Sequence, residues 1–363
     1  MICDASMDAL LQKVWDGARI DRAEALRLYR LSLEELGALA QRRRELAKAR
    51  AYEGRGNEVV TYIVDRNINY TNVCNVYCKF CAFYRTEKDD DAYVITHDEM
   101  DRKIEETLAH GGTQILLQGG HHPKLTLDWY LDLLAHIKAK FPAINIHGFS
   151  PSEFIHFQKV FNLPVEDLIK QFVAAGLGSI PGGGAEILVD RVRQRVAPLK
   201  ATTDEWLGVM DTAHRLGLRT SATMMFGHVE TVEDRIEHFD RVRTQQDKTG
   251  GFTAFICWTY QPEHTRLRAP TVGAHEYLRT QALARVFLDN FENVQSSWVT
   301  QGPDIGQIAL KFGANDLGSI MLEENVVSQA GASFRMSVAD MHRLIRDLGY
   351  EPRQRDNWYR LVN

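Results

Sequence analysis

The chain has 363 residues, of which 44% are hydrophobic and 25% are charged, and its formal net charge is −5. This balance is typical of a globular protein with a large core, and a net acidic chain gives no electrostatic reason to expect nucleic acid as a partner. No apolar run approaches the roughly 20 residues that span a bilayer, and the charged N-terminal stretch lacks the apolar core of a signal peptide. We therefore expect a cytoplasmic protein that binds neither membranes nor nucleic acid.

The first 50 residues are predicted to be helical. Apolar side chains recur there every three to four positions, and Asp21 and Ser32 are placed to cap helix starts. Ser32 is followed three residues later by Glu35, which is the pattern of a capping box. We expect residues 1–50 to form a helical extension that precedes the main domain.

From residue 59 onward, short β-branched runs alternate with longer amphipathic stretches. This alternation predicts helices packed on a parallel sheet, and eight strands that are each followed by a helix are typical of an α/β protein with a (β/α)8 TIM-type barrel. We expect the barrel to occupy residues 51–330 and a C-terminal helical segment to occupy residues 331–363. The eight predicted strands lie at 59–65, 113–120, 144–150, 177–184, 219–227, 252–260, 293–300 and 317–323.

The ends of several predicted strands are rich in glycine and polar residues. In a barrel of this type, the chemistry lies at the C-terminal ends of the strands, and glycine lets the backbone come close to a ligand. Each of these loops is also explained by ordinary turn chemistry. Together they favour a large ligand cavity at one rim. They lie at 118–122, 148–153, 181–186, 226–231 and 301–304.

Three of the five cysteines lie within eight residues. Cys74, Cys78 and Cys81 have the spacing C-x3-C-x2-C, while Cys3 and Cys257 lie in unsuitable contexts for completing a ligand set. An odd and clustered set argues against a disulfide framework. Clustered thiols in a reducing compartment more often bind metal.

Several structures are compatible with three cysteines at this spacing. One buried helix face is disfavoured by the asparagines that interrupt it. A structural zinc site needs four ligands, and His97 is an available fourth. An electron-transfer cluster with four thiolates needs another cysteine, and a redox pair formed by Cys78 and Cys81 leaves Cys74 unexplained. Three thiolates also suffice to hold three irons of a 4Fe–4S cluster and leave one iron open. Nearby aromatic side chains would then shield the cluster from water.

The segment resembles the signature of the radical S-adenosylmethionine superfamily, because the cysteine triplet follows the first strand and Tyr77 and Phe80 precede its second and third cysteines. The resemblance implies a 4Fe–4S cluster with three cysteine ligands, Cys74, Cys78 and Cys81, and S-adenosylmethionine bound at its open iron. It also implies cofactor contacts from three later motifs. These are Gln118, Gly119 and Gly120 near the methionine group, Glu186 and Arg193 near the ribose and carboxylate, and Met225, Gly227 and Val229 near the adenine.

Further motifs, including "DRNINYTNVC", "LQGGHHP" and "FGANDLGS", resemble the subgroup of menaquinone (futalosine-pathway) enzymes and F0 synthases. Within it, they are most similar to the dehypoxanthine futalosine cyclases. This implies that a 5′-deoxyadenosyl radical removes the C4′ hydrogen of dehypoxanthine futalosine and that the resulting carbon radical attacks the benzoate ring. It also implies an external one-electron donor such as flavodoxin or ferredoxin. Aminofutalosine synthase and an F0 synthase subunit are the alternatives within the superfamily. A non-catalytic iron–sulfur or zinc module is the alternative from another class.

Such a substrate needs three kinds of partner from the protein. Its carboxylate needs a cation, and a bidentate arginine such as Arg191 is suitable. Its sugar hydroxyls need acceptors, for which we predict Ser152 and Glu153 at a strand end. The deprotonation step needs a base that can be tuned near neutral pH. His121 and His147 are the preferred candidates among four histidines near the rim.

Overall fold

The structure is a computed structural model that describes residues 5–332 and 334–362. Within them the chain forms ten strands, fourteen α-helices and two short 3-10 helices, and none of these helices is long and apolar enough to cross a membrane. The strands are β1 (Val59–Ile63), β2 (Asp65–Asn69), β3 (Gln114–Gln118), β4 (Asn145–Gly148), β5 (Ser179–Ile180), β6 (Arg219–Phe226), β7 (Phe252–Thr259), β8 (Asn293–Gln295), β9 (Asp316–Ser319) and β10 (Glu351–Gln354).

The helices alternate with the strands after residue 96. They are α1 (Ala5–Trp15), α2 (Arg22–Leu28), α3 (Leu33–Lys48), α4 (His97–Ala109), α5 (Leu127–Lys140), α6 (Pro151–Phe161), α7 (Val165–Ala175), α8 (Asp190–Val196), α9 (Thr203–Arg215), α10 (Val232–Thr249), α11 (Ala274–Phe287), α12 (Trp298–Gln301), α13 (Pro303–Ala309) and α14 (Val338–Asp347), with 3-10 helices at Tyr52–Gly54 and Ser328–Ala330.

The N-terminal helices form the predicted extension on the outside of the barrel. Asp21 caps α2, and Ser32 caps α3 in a capping box with Glu35, so both predicted helix starts are confirmed. Helix α3 packs against α11, and α2 packs against α10. The extension therefore belongs to the outer helical layer and leaves the strand ends near the cysteines uncovered. The division of the chain at residues 50 and 330 stays a prediction.

The sheet is parallel and curls into the predicted TIM-type barrel. Its strand order is β2-β3-β4-β5-β6-β7-β8-β9-β1-β10. Segment 59–69 supplies both β1, which pairs with β9, and β2, which pairs with β3. Asp65 strengthens this seam, since its carboxylate accepts hydrogen bonds from Ser319 of β9 and from Gln114 of β3. The segment therefore supplies β2 at one end of the strand order and β1 next to β10 at the other end, and the Asp65 side chain bridges the two sides of the curled sheet.

All eight predicted strands are present, and two further strands were not predicted. The first is β2, whose inward side chains are the polar residues Asp65, Asn67 and Asn69. The second is β10, which extends the sheet beyond β1 and carries Pro352. The polar inner face of β2 matters for function, because it places hydrogen-bonding side chains on the wall of a cavity inside the barrel.

A buried aromatic cluster supports the end of the barrel that carries the cysteine loop. Tyr70 follows β2, and its ring packs edge-on against Tyr130 of α5 and tilted against Phe149, with centroids 5.6 and 5.7 Å away. Phe157 of α6 and Phe172 of α7 complete the cluster, and all five side chains are buried. Burial of aromatic rings supplies a large apolar contact area, so the chain leaves β2 from a rigid base.

Candidate active site

A cavity of about 440 Å³ occupies the barrel interior. It extends from Gln114 and Thr253, near the N-terminal ends of β3 and β7, to the loop between β2 and α4. All three clustered cysteines lie on its wall, together with Phe80, Phe83 and Tyr84. The barrel therefore encloses thiols, aromatic rings and polar strand residues in one chamber.

The loop that carries the cysteines is fixed by backbone hydrogen bonds to two neighbouring loops. The N–H of Asn75 donates to the carbonyl of His121 at 3.2 Å, beyond the end of β3. The N–H of Lys79 donates to the carbonyl of Val196 at 2.9 Å, at the end of α8. These contacts hold the loop against the rim, so that the three sulfur atoms face the same space.

The chemistry of the thiols fits a metal cluster. Burial raises the pKa of Cys78 to about 12 and raises the pKa of Cys81 above its ordinary value. Buried thiols of this kind stay protonated near neutral pH unless a metal takes the place of the proton. Among residues 5–332 and 334–362, no group of three or more His, Cys, Asp or Glu side chains is arranged to hold a single metal ion.

The proposed fourth ligands for other metal sites lie elsewhere. His97 begins α4, where its Nε2 lies 3.2 Å from an Asp132 carboxylate oxygen and its ring stacks on His136 at 4.0 Å. Cys257 is buried behind β7, with its Sγ 3.1 Å from Gln281 Oε1. Cys3 lies outside the described residues. Among the described residues, three cysteine sulfurs therefore lie at the cavity, and the position of His97 argues against a zinc site that includes it.

Gly119 and Gly120 line the cavity where β3 ends, and packing requires both to be glycine. A Cβ on Gly119 would lie 2.6 Å from the Tyr70 ring, and a Cβ on Gly120 would collide with the carbonyl oxygen of Val73. The cysteine loop therefore packs directly on the glycine pair, and the backbone of the pair is left bare toward the cavity. A ligand can approach a bare backbone closely.

Glu153 holds this strand end in place. Its Oε1 accepts hydrogen bonds from the Tyr70 hydroxyl at 2.8 Å and from the Gly119 N–H at 3.1 Å. Its Oε2 accepts from the N–H and the hydroxyl of Ser150, at 2.6 and 2.7 Å. Both carboxylate oxygens are thus occupied by protein donors. Glu153 lies on the cavity wall, but its contacts are those of a positioning residue rather than of the predicted acceptor for sugar hydroxyls.

An ion-paired group lies beside Cys78. The Nζ of Lys200 lies 2.7 Å from Glu186 Oε1 and 5.2 Å from the centre of the Phe80 ring. Burial opposes the charge of Lys200, but the Glu186 carboxylate outweighs it and raises the pKa of the lysine. Both side chains line the cavity, together with Met225, whose N–H donates to the carbonyl of Glu186. This wall therefore offers opposite charges close together.

Arg193 supports the ion pair without lining the cavity. Its guanidinium donates to the carbonyls of Gly184, Ala185 and Ala201, and its Nη1 lies 3.5 Å from Glu186 Oε2. The side chain is buried. Arg193 therefore fixes the glycine-rich loop after β5 and does not line the cavity. The sequence had predicted a contact between Arg193 and the cofactor.

Both predicted histidines lie on the cavity wall. Burial lowers the pKa of His147 to about 3, with a smaller contribution from Arg355, and its Nδ1 lies 2.7 Å from Ser179 Oγ. Burial, helped by the neighbouring His156, lowers the pKa of His121 well below its ordinary value. Both rings are neutral near pH 7. Neutral imidazoles can accept hydrogen bonds, but a depressed pKa makes them weak bases.

Two residues predicted to bind substrate lie away from the cavity. Arg191 forms an ion pair with Asp234 of α10, and 54% of its side chain is exposed on the outer face of the barrel. Ser152 is buried in α6 behind Gly184, which lines the cavity, and Ser152 itself does not. Neither side chain lines the cavity, because the direction in which these helices face was not contained in the local sequence, and a contact of either with substrate stays a prediction.

Three residues predicted to bind cofactor also lie outside the cavity lining. Tyr77 is 42% exposed on the outer side of the cysteine loop, where it packs against Tyr84. Gly227 and Val229 follow β6. The N–H of Gly227 donates to Glu230 Oε1, and the N–H of Val229 donates to the ring of His228. Of the predicted adenine contacts, only Met225 reaches the cavity.

Sequence reasoning missed both basic side chains that line the cavity in the described part of the chain. Among the residues that line it in the described part of the chain, Lys200 and Arg355 are the lysine and arginine side chains. Arg355 follows β10 and forms a bidentate pair with Asp316 of β9, with N–O distances of 2.6 and 2.9 Å. Nothing in the local sequence distinguishes Lys200 or Arg355. Asn67 and Gln295 were also missed, although alternating polar residues on a strand are a usable signal of a polar lumen.

Comparison with known proteins decides the family. Residues 68–242 match the Radical SAM superfamily, and residues 249–363 match the CofH/MqnC C-terminal region. The chain is 42% identical to the cyclic dehypoxanthine futalosine synthase of Halalkalibacterium halodurans, over 98% of this chain and 95% of the relative. It belongs to the CofH/MqnC family of the radical S-adenosylmethionine superfamily. The superfamily predicted from the cysteine motif is thereby confirmed.

Other relatives of the family agree. The cyclic dehypoxanthine futalosine synthase of Streptomyces coelicolor is 46% identical over 98% of this chain and 88% of that relative. The aminodeoxyfutalosine synthase of Thermus thermophilus is 37% identical over 99% of this chain and 97% of that relative. Members of the superfamily are enzymes that use a 4Fe–4S cluster and S-adenosylmethionine. This chain is therefore an enzyme that uses the same two cofactors.

Solved structures confirm the superfamily fold. Methylornithine synthase (PylB) superposes with a TM-score of 0.73 at 16% identity, covering 94% of this chain and 97% of that chain. The FeFe-hydrogenase maturase HydG from Carboxydothermus hydrogenoformans gives 0.72 at 16% identity, covering 98% and 81%. The identities are low, so these superpositions bear on the barrel and not on the substrate.

Proposed function

We propose that the protein converts dehypoxanthine futalosine to cyclic dehypoxanthinylfutalosinate in menaquinone biosynthesis, in the cytoplasm, where free thiols stay reduced. One observation carries the proposal. A loop with three cysteines lies on the wall of a cavity inside the barrel, in a chain that is 42% and 46% identical, over almost its whole length, to two cyclic dehypoxanthine futalosine synthases. The aminodeoxyfutalosine synthase is less similar, at 37% identity.

The cofactors would be held at the cysteine end of the cavity. Cys74, Cys78 and Cys81 suit three irons of the cluster and leave one iron for S-adenosylmethionine. When bound, these cofactors supply a 5′-deoxyadenosyl radical that removes the C4′ hydrogen of the substrate. The protein contributes binding, orientation and the exclusion of water.

The residues around the cysteines suit a zwitterionic nucleoside. Glu186 and Lys200 present both signs of charge beside Cys78, and a methionine group carries both an ammonium and a carboxylate. Gly119 and Gly120 offer bare backbone on the adjacent wall. Charge-assisted hydrogen bonds are the strongest available to such a ligand, so this wall would fix its methionine end.

The other end of the cavity suits the substrate. Asn67 and Gln295 offer amide donors and acceptors to a sugar, and Trp258 offers a ring face to an aromatic acid. We propose that Arg355 replaces Arg191 as the cation that faces the benzoate carboxylate. Its pairing with Asp316 holds the guanidinium rigidly, and rigidity limits the geometries in which the reacting carbon can lie.

Enclosure is the remaining contribution of the protein. Phe80, Phe83 and Tyr84 cover the cavity at the cysteine loop, and Trp258 and Met225 extend this apolar wall. A carbon radical would be quenched by hydrogen donors from outside, and excluding water and solutes prevents such side reactions. The ring attack is intramolecular, so holding one conformation of the substrate is the main requirement.

The test follows hydrogen from the substrate. Anaerobically reconstituted protein is given dehypoxanthine futalosine with deuterium at C4′, and 5′-deoxyadenosine is analysed by mass spectrometry. We expect one deuterium in the nucleoside and a cyclic product in equal amount. Parallel reactions supply tyrosine or an enolpyruvyl benzoate, the substrates of the sister activities. The proposal fails if deuterium stays in the substrate, or if an adduct that retains adenosine forms instead.

A further inference from the structure

A basic surface lies directly outside Cys78. We call it the Lys79 surface and define it as the exposed side chains of the cysteine loop and of the two segments that hydrogen-bond to it, which are Tyr77, Lys79, Arg195, Leu199, Arg266 and Arg268. We infer that the Lys79 surface docks an acidic one-electron carrier protein that reduces the cluster. The inference rests on the proposed function, since a cluster that cleaves S-adenosylmethionine must receive an electron from outside the protein.

The backbone places this surface one residue away from the cavity. Lys79 lies between Cys78 and Phe80, which both line the cavity, while the side chain of Lys79 is exposed. Its N–H donates to the carbonyl of Val196 at 2.9 Å, and its carbonyl accepts from the N–H groups of Arg266 and Leu267, at 2.9 and 2.8 Å. The Lys79 peptide is thus held between the end of α8 and the segment at 266–267. An exposed side chain therefore directly follows Cys78 in the chain.

The charge of this surface is not balanced by the protein. Lys79, Arg195, Arg266 and Arg268 are all exposed, and within residues 5–332 and 334–362 none of them forms an ion pair. The chain as a whole has a net charge of −5. An acidic partner would therefore be repelled by the molecule in general and attracted here, and such a local field steers and orients encounter.

Exposed apolar side chains accompany the charges. Leu199 is 63% exposed and Tyr77 is 42% exposed. Leu199 lies in the short loop after α8, three residues beyond the Val196 carbonyl that accepts from Lys79. Arg266 donates a hydrogen bond to the carbonyl of Tyr77 at 2.5 Å and so fixes that residue. An apolar contact surrounded by charges is the usual arrangement of a transient protein interface.

Farther along the same loop the charge is reversed. Residues 87–91 read Glu-Lys-Asp-Asp-Asp and are exposed. Two neighbouring cations are already paired there, Lys124 with Glu87 and Arg85 with Asp91, both at 2.8 Å, and Lys88 stands among four acidic residues. An acidic carrier is therefore directed to the Lys79 surface and away from the loop at 87–91. The transfer itself oxidises the carrier by one electron and reduces the cluster by one electron, and no group is exchanged.

The test uses single charge reversals with a matched control. Arg195→Glu, Arg268→Glu and Lys79→Glu each change an exposed cation of the Lys79 surface. Lys88→Glu makes the same change on the acidic side of the loop. Arg266 is left intact because it holds Tyr77. Iron content and thermal unfolding of each variant establish that the reconstituted protein is folded and loaded.

Two readouts separate docking from chemistry. Binding of oxidised flavodoxin, an acidic carrier, is measured by calorimetry at low and high salt. The rate of cluster reduction is followed by stopped-flow absorbance, once with reduced flavodoxin and once with dithionite. We expect about a tenfold loss of flavodoxin affinity and reduction rate in each variant of the Lys79 surface, a loss that high salt diminishes. Reduction by dithionite and the behaviour of Lys88→Glu should stay within about twofold of wild type.

The inference is overturned if the three variants bind and accept electrons from flavodoxin as wild type does. It is also overturned if reduction by dithionite falls in parallel, because the substitutions would then disturb the cluster itself. These results are distinct from failure of the proposed function. If flavodoxin reduces the wild-type cluster through this surface but no cyclic product forms, the docking inference is supported and the proposed cyclase activity is contradicted.

Discussion

Glu153 allows a direct test of whether a residue of the cavity wall binds substrate or holds the cofactor site in shape. Its sequence position predicted a contact with sugar hydroxyls, but its two oxygens accept hydrogen bonds from Tyr70, Gly119 and Ser150. The perturbation is Glu153→Gln, which keeps the shape of the side chain and replaces one oxygen by an NH2 group. We expect this change to loosen the end of β3 that carries the glycine pair.

The magnitude follows from the four donors. Each oxygen of Glu153 faces one backbone N–H and one hydroxyl. Whichever oxygen becomes NH2, the hydroxyl can rotate to accept from it, but the backbone N–H loses its acceptor. An unsatisfied buried donor costs about 1–3 kcal/mol, so we expect the free energy of unfolding to fall by about 2–3 kcal/mol. With about 2.1 cal/mol/K of unfolding entropy per residue, a chain of 363 residues should lose roughly 3–4 °C in Tm.

The assay combines thermal unfolding with S-adenosylmethionine binding and with substrate kinetics. A positioning role predicts a lower Tm and weaker S-adenosylmethionine binding, while KM for the substrate is unchanged at saturating cofactor. Tyr70→Phe is the matched control, because it removes one donor and leaves the carboxylate, at a cost of about 1 kcal/mol. An unchanged Tm and unchanged cofactor affinity, together with a raised substrate KM, would refute the reasoning and restore the contact predicted from sequence.

Three further results are expected. Cys78→Ala should lower the iron content of reconstituted protein and abolish formation of 5′-deoxyadenosine; full activity would contradict the cluster assignment. Gly120→Ala adds a Cβ that collides with a backbone oxygen, so cluster loading or S-adenosylmethionine affinity should fall at least about tenfold. Gly208→Ala, whose Cβ would meet nothing within 4 Å, is its control, and equal effects of both would contradict the packing argument. Arg355→Met should cost about 3–5 kcal/mol of unfolding free energy by leaving Asp316 buried and unpaired. Adding Asp316→Asn should restore much of that stability while the substrate KM stays raised, and a normal KM would exclude Arg355 from substrate binding.

The barrel could be predicted because most of its strands are buried on both faces. Such strands appear in the sequence as short apolar runs between amphipathic helices. Strand β2 escaped this signal because Asp65, Asn67 and Asn69 face the cavity while Ile68 faces the core. Strand β10 escaped it because it pairs with β1 alone and contains Pro352, and proline in a strand usually argues against one.

The candidate site was predictable where its chemistry is local. The three cysteines lie within eight residues, so one loop fixes their relation whatever the rest of the fold does. The partners of a distant ligand depend instead on which way each helix faces. Arg191 was a reasonable cation for a carboxylate, but the packing of α8 and α10 turns it toward Asp234. Lys200 reaches the cavity only because the loop after α8 folds back over Glu186.

The two halves of the chain divide the cavity between them. Residues 68–242 match the Radical SAM superfamily. They supply the three cysteines, the glycine pair and Glu186 to the cavity wall. The part that matches the CofH/MqnC C-terminal region, residues 249–363, supplies Trp258, Gln295 and Arg355. A shared cofactor calls for shared residues, whereas substrates differ between the sister enzymes. We therefore expect the residues that discriminate between those substrates to lie mainly within residues 249–363, where Glu324 and Arg355 are the charged side chains that line the cavity in the described part of the chain.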